Sequence, residues 1–158
     1  SAQIDRLKSL YVIRQRMVDN FLRDNDYLWW IDADCIYVPE HSIKEMLRAN
    51  ANIVVPILYL PNQLLYDCTT CKFMNGQALK VNELAHVFPG ESFIEVDLAN
   101  APFMASREVL EKVRYEGCAD GDQEGPCFSR NAAKLGYKPV AALGVRILHA
   151  AVTGSKAL

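Results

Sequence analysis

The chain has 158 residues, 51% of them hydrophobic and 23% charged, with a net charge of −2. That is enough chain for one domain with its own core. The charge balance offers no basic surface for nucleic acid, and no lysine-rich block suggests a membrane surface.

The apolar runs, such as 53–60, are far too short to span a bilayer, and no stretch reads as a signal peptide. The expected location is cytoplasmic, or membrane-associated through regions outside this chain. The first methionine is Met17, so the start is expected to be a cut or processed end.

Residues 4–24 read as an amphipathic helix, with Ile4, Leu7, Tyr11, Val18 and Leu22 at helical spacing. "DND" at 24–26 ends it, and the aromatic, β-branched run 27–31 reads as a strand. Pro39 is placed to open a helix reaching about Ala49, and "NIVVPILYL" follows as a second buried strand. Between 61 and 92, "NG" at 75–76 and "PG" at 89–90 punctuate short apolar pieces, which predicts hairpins or an irregular excursion. Strand character resumes in 93–105. Ser106 is a candidate cap for a helix stopped by Gly117, and a short helix ends at Gly136 before the last strand, 139–149. Alternating helices and strands predict a single α/β domain with a mainly parallel sheet and helices on both faces. Its strands are expected near 27–31, 52–56, 93–97, 101–105 and 139–149.

The five cysteines, an odd number, argue against a disulfide framework and for a reducing compartment. Cys68 and Cys71 have the spacing of half a zinc site that Cys118 and Cys127 could complete, although that second pair lacks the short spacing of a zinc knuckle.

The segment "DYLWWIDADCIYVPEH", 26–41, ends an apolar strand on two carboxylates, Asp32 and Asp34. In α/β sheets ligands bind beyond the carboxyl ends of strands. Hard divalent ions are commonly held there by one or two carboxylates plus substrate phosphates. The plainer reading makes Asp32 a turn cap and leaves Asp34 in water.

This segment, with its proline-started helix, resembles the metal-binding segment of glycosyltransferases of the GT-A fold. Upstream, "RMVDNFL" carries Asn20 where many of these enzymes have Ala-Arg-Asn; Asp19 replaces the arginine, and Arg16 lies one turn earlier. "IEVDLANAPFMASREVLEKV", "GDQEGPCFSRNAAKLGYK" and "VRILH" are similar to later segments of the family, in the same order. The similarity extends to the large inverting group and to fungal mannan-polymerase mannosyltransferases alike.

The resemblance implies a GT-A-like, Rossmann-like fold lacking its N-terminal nucleotide-binding half, so that 1–158 corresponds to the C-terminal two-thirds of a full domain. It implies transfer of a sugar from a nucleotide-diphosphate donor to a hydroxyl acceptor. The metal, Mn²⁺ or Mg²⁺, falls to Asp34, Asp32 and His149, with Asp32 meeting ribose or sugar hydroxyls as the alternative. Donor or acceptor contacts fall to Asn20, Arg16 and Asn100. The catalytic base falls to Glu124 or Asp122, because Gly125 stands where the family has an aspartate. Two other readings are a non-catalytic nucleotide- or sugar-binding module with a degenerate site, and a phosphotransfer or nucleotidyl-transfer enzyme. The latter normally needs a glycine-rich phosphate loop or a basic cluster, and the sequence has neither.

Overall fold

The computed structural model describes residues 2–66, 69–100, 102–118 and 122–150. Helix α1 (Ala2–Phe21) leads into strands β1 (Tyr27–Trp29) and β2 (Cys35–Tyr37), followed by helix α2 (Ser42–Arg48) and strand β3 (Ile53–Tyr59). A hairpin of β4 (Cys71–Met74) and β5 (Gln77–Lys80) precedes α3 (Val81–Val87). Then come β6 (Phe93–Glu95), β7 (Met104–Ser106), α4 (Arg107–Lys112), α5 (Glu124–Lys134) and β8 (Val140–His149).

The main sheet runs β1-β7-β3-β8-β2, with β6 also pairing β8. Among the described residues only β3 and β8 pair in parallel; β1·β7, β3·β7, β2·β8 and β6·β8 are antiparallel. This corrects the expectation of a mainly parallel sheet. The expectation treated each helix between strands as a crossover that returns the chain parallel to its neighbour. Here strands consecutive in sequence are often not neighbours, and β7 enters between β1 and β3 running the other way.

Helices cover both faces, and β3 shows why. Its side chains alternate across the sheet, as the period of a strand dictates. Ile53, Val55 and Ile57 join Leu7, Tyr11 and Val18 of α1, Leu22 just beyond it, Val109 and Leu110 of α4, and Phe128 of α5. Val54 instead packs with Met46 of α2, Met104, Ala142 and Val145. Pro56 has no N–H to give the ladder, and the β3·β8 register shifts across it, from Val55↔Ala141 to Ile57↔Arg146.

The smaller expectations have mixed outcomes. Asn75 (φ 50°) and Gly76 (φ 78°) form the two-residue turn of the β4–β5 hairpin, the positive-φ pair that "NG" signals. Ser106 does cap α4, its Oγ accepting from the Val109 N–H. That helix ends at Lys112, short of Gly117, because Val113 turns to extended geometry. Helices α2 and α5 begin at Ser42 and Glu124.

Cys118 and Cys127 form a disulfide. This corrects the reading of the cysteines as unbridged and takes both out of any zinc set. Cys68 lies outside the described residues, so the half-site with Cys71 is not seen. Among the described residues no helix is long and apolar enough to cross a membrane.

Candidate functional site

Strand β1 hands the chain to Trp30, whose N–H is held by the Phe103 carbonyl (3.1 Å) and whose indole packs against Phe103 and Tyr115. Next comes a turn, closed by the Cys35 N–H on the Asp32 carbonyl (3.0 Å), that points Asp32 and Asp34 out of the sheet. The end of β8 is tied to the same turn. Cys35 pairs with His149, and the Ala150 N–H donates to the Asp34 carbonyl at 2.8 Å. The sheet therefore brings His149 and the acidic turn, 115 residues apart in sequence (149 − 34), to one place.

A cavity of about 550 Å³ opens there, within the usual size of small-molecule sites. Its lining includes Asp32, Asp34, Asn100, Glu124 and His149, with Tyr66 and the flank of α1. Five of the residues singled out in the sequence thus meet at one cavity. Arg16, Asn20 and Asp122 do not line it. Asn20 donates to the Arg16 carbonyl on exposed α1 (2.7 Å). The Asp122 carboxylate accepts from Arg130, and its carbonyl accepts from the Tyr11 hydroxyl.

The two aspartates have different partners. Asp34 Oδ2 lies 3.1 Å from His149 Nε2. His149 is buried, its ring stacked on Tyr66 at 3.8 Å between centroids. Its Nδ1 lies 2.8 Å from the Ala150 carbonyl oxygen, which can only accept, so Nδ1 carries a proton. A neutral ring then turns a bare Nε2 lone pair towards a carboxylate oxygen. That contact requires a cation, a second proton or a metal ion. Among the described residues no three His, Cys, Asp or Glu side chains converge as a ready-made metal cage.

Asp32 is engaged elsewhere. Arg14, only 8% exposed, donates from one nitrogen, Nη2, to Asp32 Oδ1 (3.0 Å) and Glu124 Oε1 (3.3 Å). Its guanidinium lies over the Trp30 ring at 5.9 Å. Arg14 ties the strand-end turn to the start of α5, and the reading from sequence missed it. A signal was present. The core positions of α1 and the residue after it, 7, 11, 18 and 22, follow a three-four spacing that lands on 14, and a charged residue on a buried stripe is either paired or functional.

Gly125 has a packing reason. A Cβ there would sit 2.6 Å from the Ala99 carbonyl oxygen and 2.6 Å from Asn100 Cα. The start of α5 rests directly on that backbone, held by Ser129, whose Oγ accepts from the Ala99 N–H (3.0 Å) and donates to the Gly125 carbonyl (2.9 Å). An aspartate has no room at this position. Cys35, beside the turn, is no nucleophile: burial, and then the Asp32 charge, push its thiol up to about 11.

No protein-family model and no curated protein matches the chain. Among solved structures, the crystal structure of A197 from STIV is similar, with a TM-score of 0.56 at 18% identity. The match covers 89% of this chain and 66% of that one, so the chain spans somewhat under two-thirds of A197's length. At that identity the likeness is one of fold, and the fold shared is a mixed α/β one.

Proposed function

We propose that the chain is the core of a metal-dependent glycosyltransferase, using a nucleotide-diphosphate sugar as donor and a hydroxyl as acceptor. The observation that supports it best is the Asp34–His149 contact, a carboxylate oxygen and an imidazole nitrogen 3.1 Å apart with no proton of their own between them in the neutral ring. Two ligands about 2.1 Å from one octahedral ion, at right angles, stand about 3.0 Å apart, so the pair fits Mn²⁺ or Mg²⁺. With only these two side chains supplied, the remaining positions suit phosphate oxygens and water. Such an ion, when bound, would neutralise charge gathering on a departing diphosphate.

The rest of the cavity supplies complementary groups. Asp32, with Oδ1 on Arg14, keeps Oδ2 for a sugar or ribose hydroxyl, which moves it from ion ligand to substrate contact. Glu124 keeps Oε2 for the acceptor hydroxyl, the position a proton-accepting carboxylate needs. Neither oxygen has a partner among the described residues. Asp122 is the weaker candidate for that role because its carboxylate is on Arg130.

Calorimetry with a nucleoside diphosphate, with and without Mn²⁺, tests the reading. Binding should tighten at least about tenfold with the ion. Asp34→Asn should abolish that gain, whereas Asp32→Asn should preserve it. Equal affinity with and without Mn²⁺ in the unmutated protein would reject the metal and leave His149 as an imidazolium paired with Asp34. The absence of a carboxylate at 125 favours a second reading, a nucleotide- or sugar-binding module. Metal-coupled binding with no transfer to acceptor or water would establish that one.

A further inference from the structure

We propose that the α1 side of the cavity is an anion subsite, in which Arg6 and the cavity-facing donors of Arg14 take a phosphate group of the ligand. Positions 3, 6, 10 and 14 share one flank of the helix by their spacing, and Gln3, Arg6, Leu10 and Arg14 all line the cavity. Arg6 has no carboxylate partner among the described residues. Arg14 engages both of its carboxylates through Nη2 alone, which leaves Nε–H and the Nη1 hydrogens without partners. The fully buried side-chain nitrogens and oxygens that lack a partner, among the described residues, are Trp29 Nε1 and the Tyr115 hydroxyl. The idle Arg14 nitrogens are therefore not fully buried, on a side chain that lines the cavity and is otherwise nine-tenths buried.

The chemistry of the walls narrows the ligand. Asp32 and Glu124 are already bonded to Arg14, so the lining leaves Asp34, beside His149, to meet a cation, and Arg6 with the idle Arg14 donors to meet an anion. A ligand that satisfies both sides presents a cation to the first and more than one anionic oxygen group to the second. A diphosphate carrying a divalent ion does this. Guanidinium donors suit phosphate oxygens, which they meet with short, charge-assisted bonds. The subsite rests on the glycosyltransferase reading only for the cation opposite it.

The probes are inorganic pyrophosphate and orthophosphate, titrated calorimetrically with and without Mn²⁺. Arg6→Gln should weaken pyrophosphate about five- to tenfold in both conditions, the size of a lost charge-assisted bond at a partly open site. Arg48→Gln, an equal change of charge on α2, should stay within about twofold. Asp34→Asn should erase the Mn²⁺ enhancement and keep the Arg6-dependent part. If Arg6→Gln binds pyrophosphate as the unmutated protein does, or Arg48→Gln loses as much, the subsite is wrong. If Mn²⁺ is without effect while Arg6→Gln still weakens binding, the subsite stands and the metal reading falls.

Discussion

Asp32 and Asp34 are separated by one residue on the same turn, yet they meet different kinds of partner. Asp32 meets a permanent cation, Arg14, which a buried position on α1 holds in place. Asp34 meets His149, whose remaining proton is already directed at a backbone carbonyl. A guanidinium cannot give up its charge at any ordinary pH, whereas an imidazole offers either a proton or a lone pair. The lesson is that Arg14 ties the turn to α5 through a fixed charge, whereas the Asp34–His149 contact changes with whatever proton or ion it holds. Three substitutions press on that division.

The largest effect belongs to Glu124, which is bonded to Arg14 but keeps one oxygen free. Glu124→Gln should lower sugar transfer about 10²–10⁴-fold, the usual contribution of a general base. Metal-coupled nucleotide binding should be nearly unchanged, because the Asp34–His149 pair does not touch Glu124. A loss below about tenfold would confine Glu124 to its structural bond with Arg14.

Arg14→Met tests the fixed-charge half directly. It leaves two carboxylates facing each other at the mouth of the core. Removing one partner of a buried pair costs about 3–5 kcal/mol, and the lower end applies because Asp32 is more than a third exposed and water relieves it. Urea unfolding should therefore show a loss of about 3 kcal/mol. Adding Glu124→Gln should recover more of that loss than adding Asp32→Asn, since Glu124 is the more buried partner. An unchanged midpoint for Arg14→Met would make the cluster dispensable and dissolve the contrast with Asp34.

The two halves were also unequally legible in the sequence. The acidic turn could be read because an apolar strand ending in two aspartates is a local pattern, and the hairpin turn at Asn75 and Gly76 because positive φ demands such residues. The placing of His149 beside the acidic turn follows from the order of motifs and not from a local pattern. Strand direction was not legible, since pairing of β7 between β1 and β3 is settled by contacts far apart in the chain. Arg14 was passed over because a polar residue in an amphipathic helix reads as solvated until the core spacing is counted through it. The role of Gly125 was hidden for a different reason. Its cause is the backbone of residues 99–100, which no local pattern places beneath α5.

That contact gives the last and smallest test. Alanine at 125 adds one carbon where the Ala99 oxygen and Asn100 Cα are each 2.6 Å away, and backbone cannot swing aside as a flexible side chain would. The start of α5 must lift, straining the Ser129 bonds to Ala99 and Gly125 and drawing Glu124 from Arg14. Overpacking of this kind costs about 1–3 kcal/mol. Gly125→Ala should therefore lower the free energy of urea unfolding by that amount. It should also reduce transfer, because Glu124 moves with its helix, while Mn²⁺-coupled nucleotide binding persists at Asp34 and His149, which α5 does not carry. If Gly125→Ala instead removed metal coupling as completely as Asp34→Asn, the two halves would be one mechanical unit. If it changed neither stability nor transfer, α5 would not be seated on residues 99–100 as described, and the steric reason for glycine at 125 would be withdrawn.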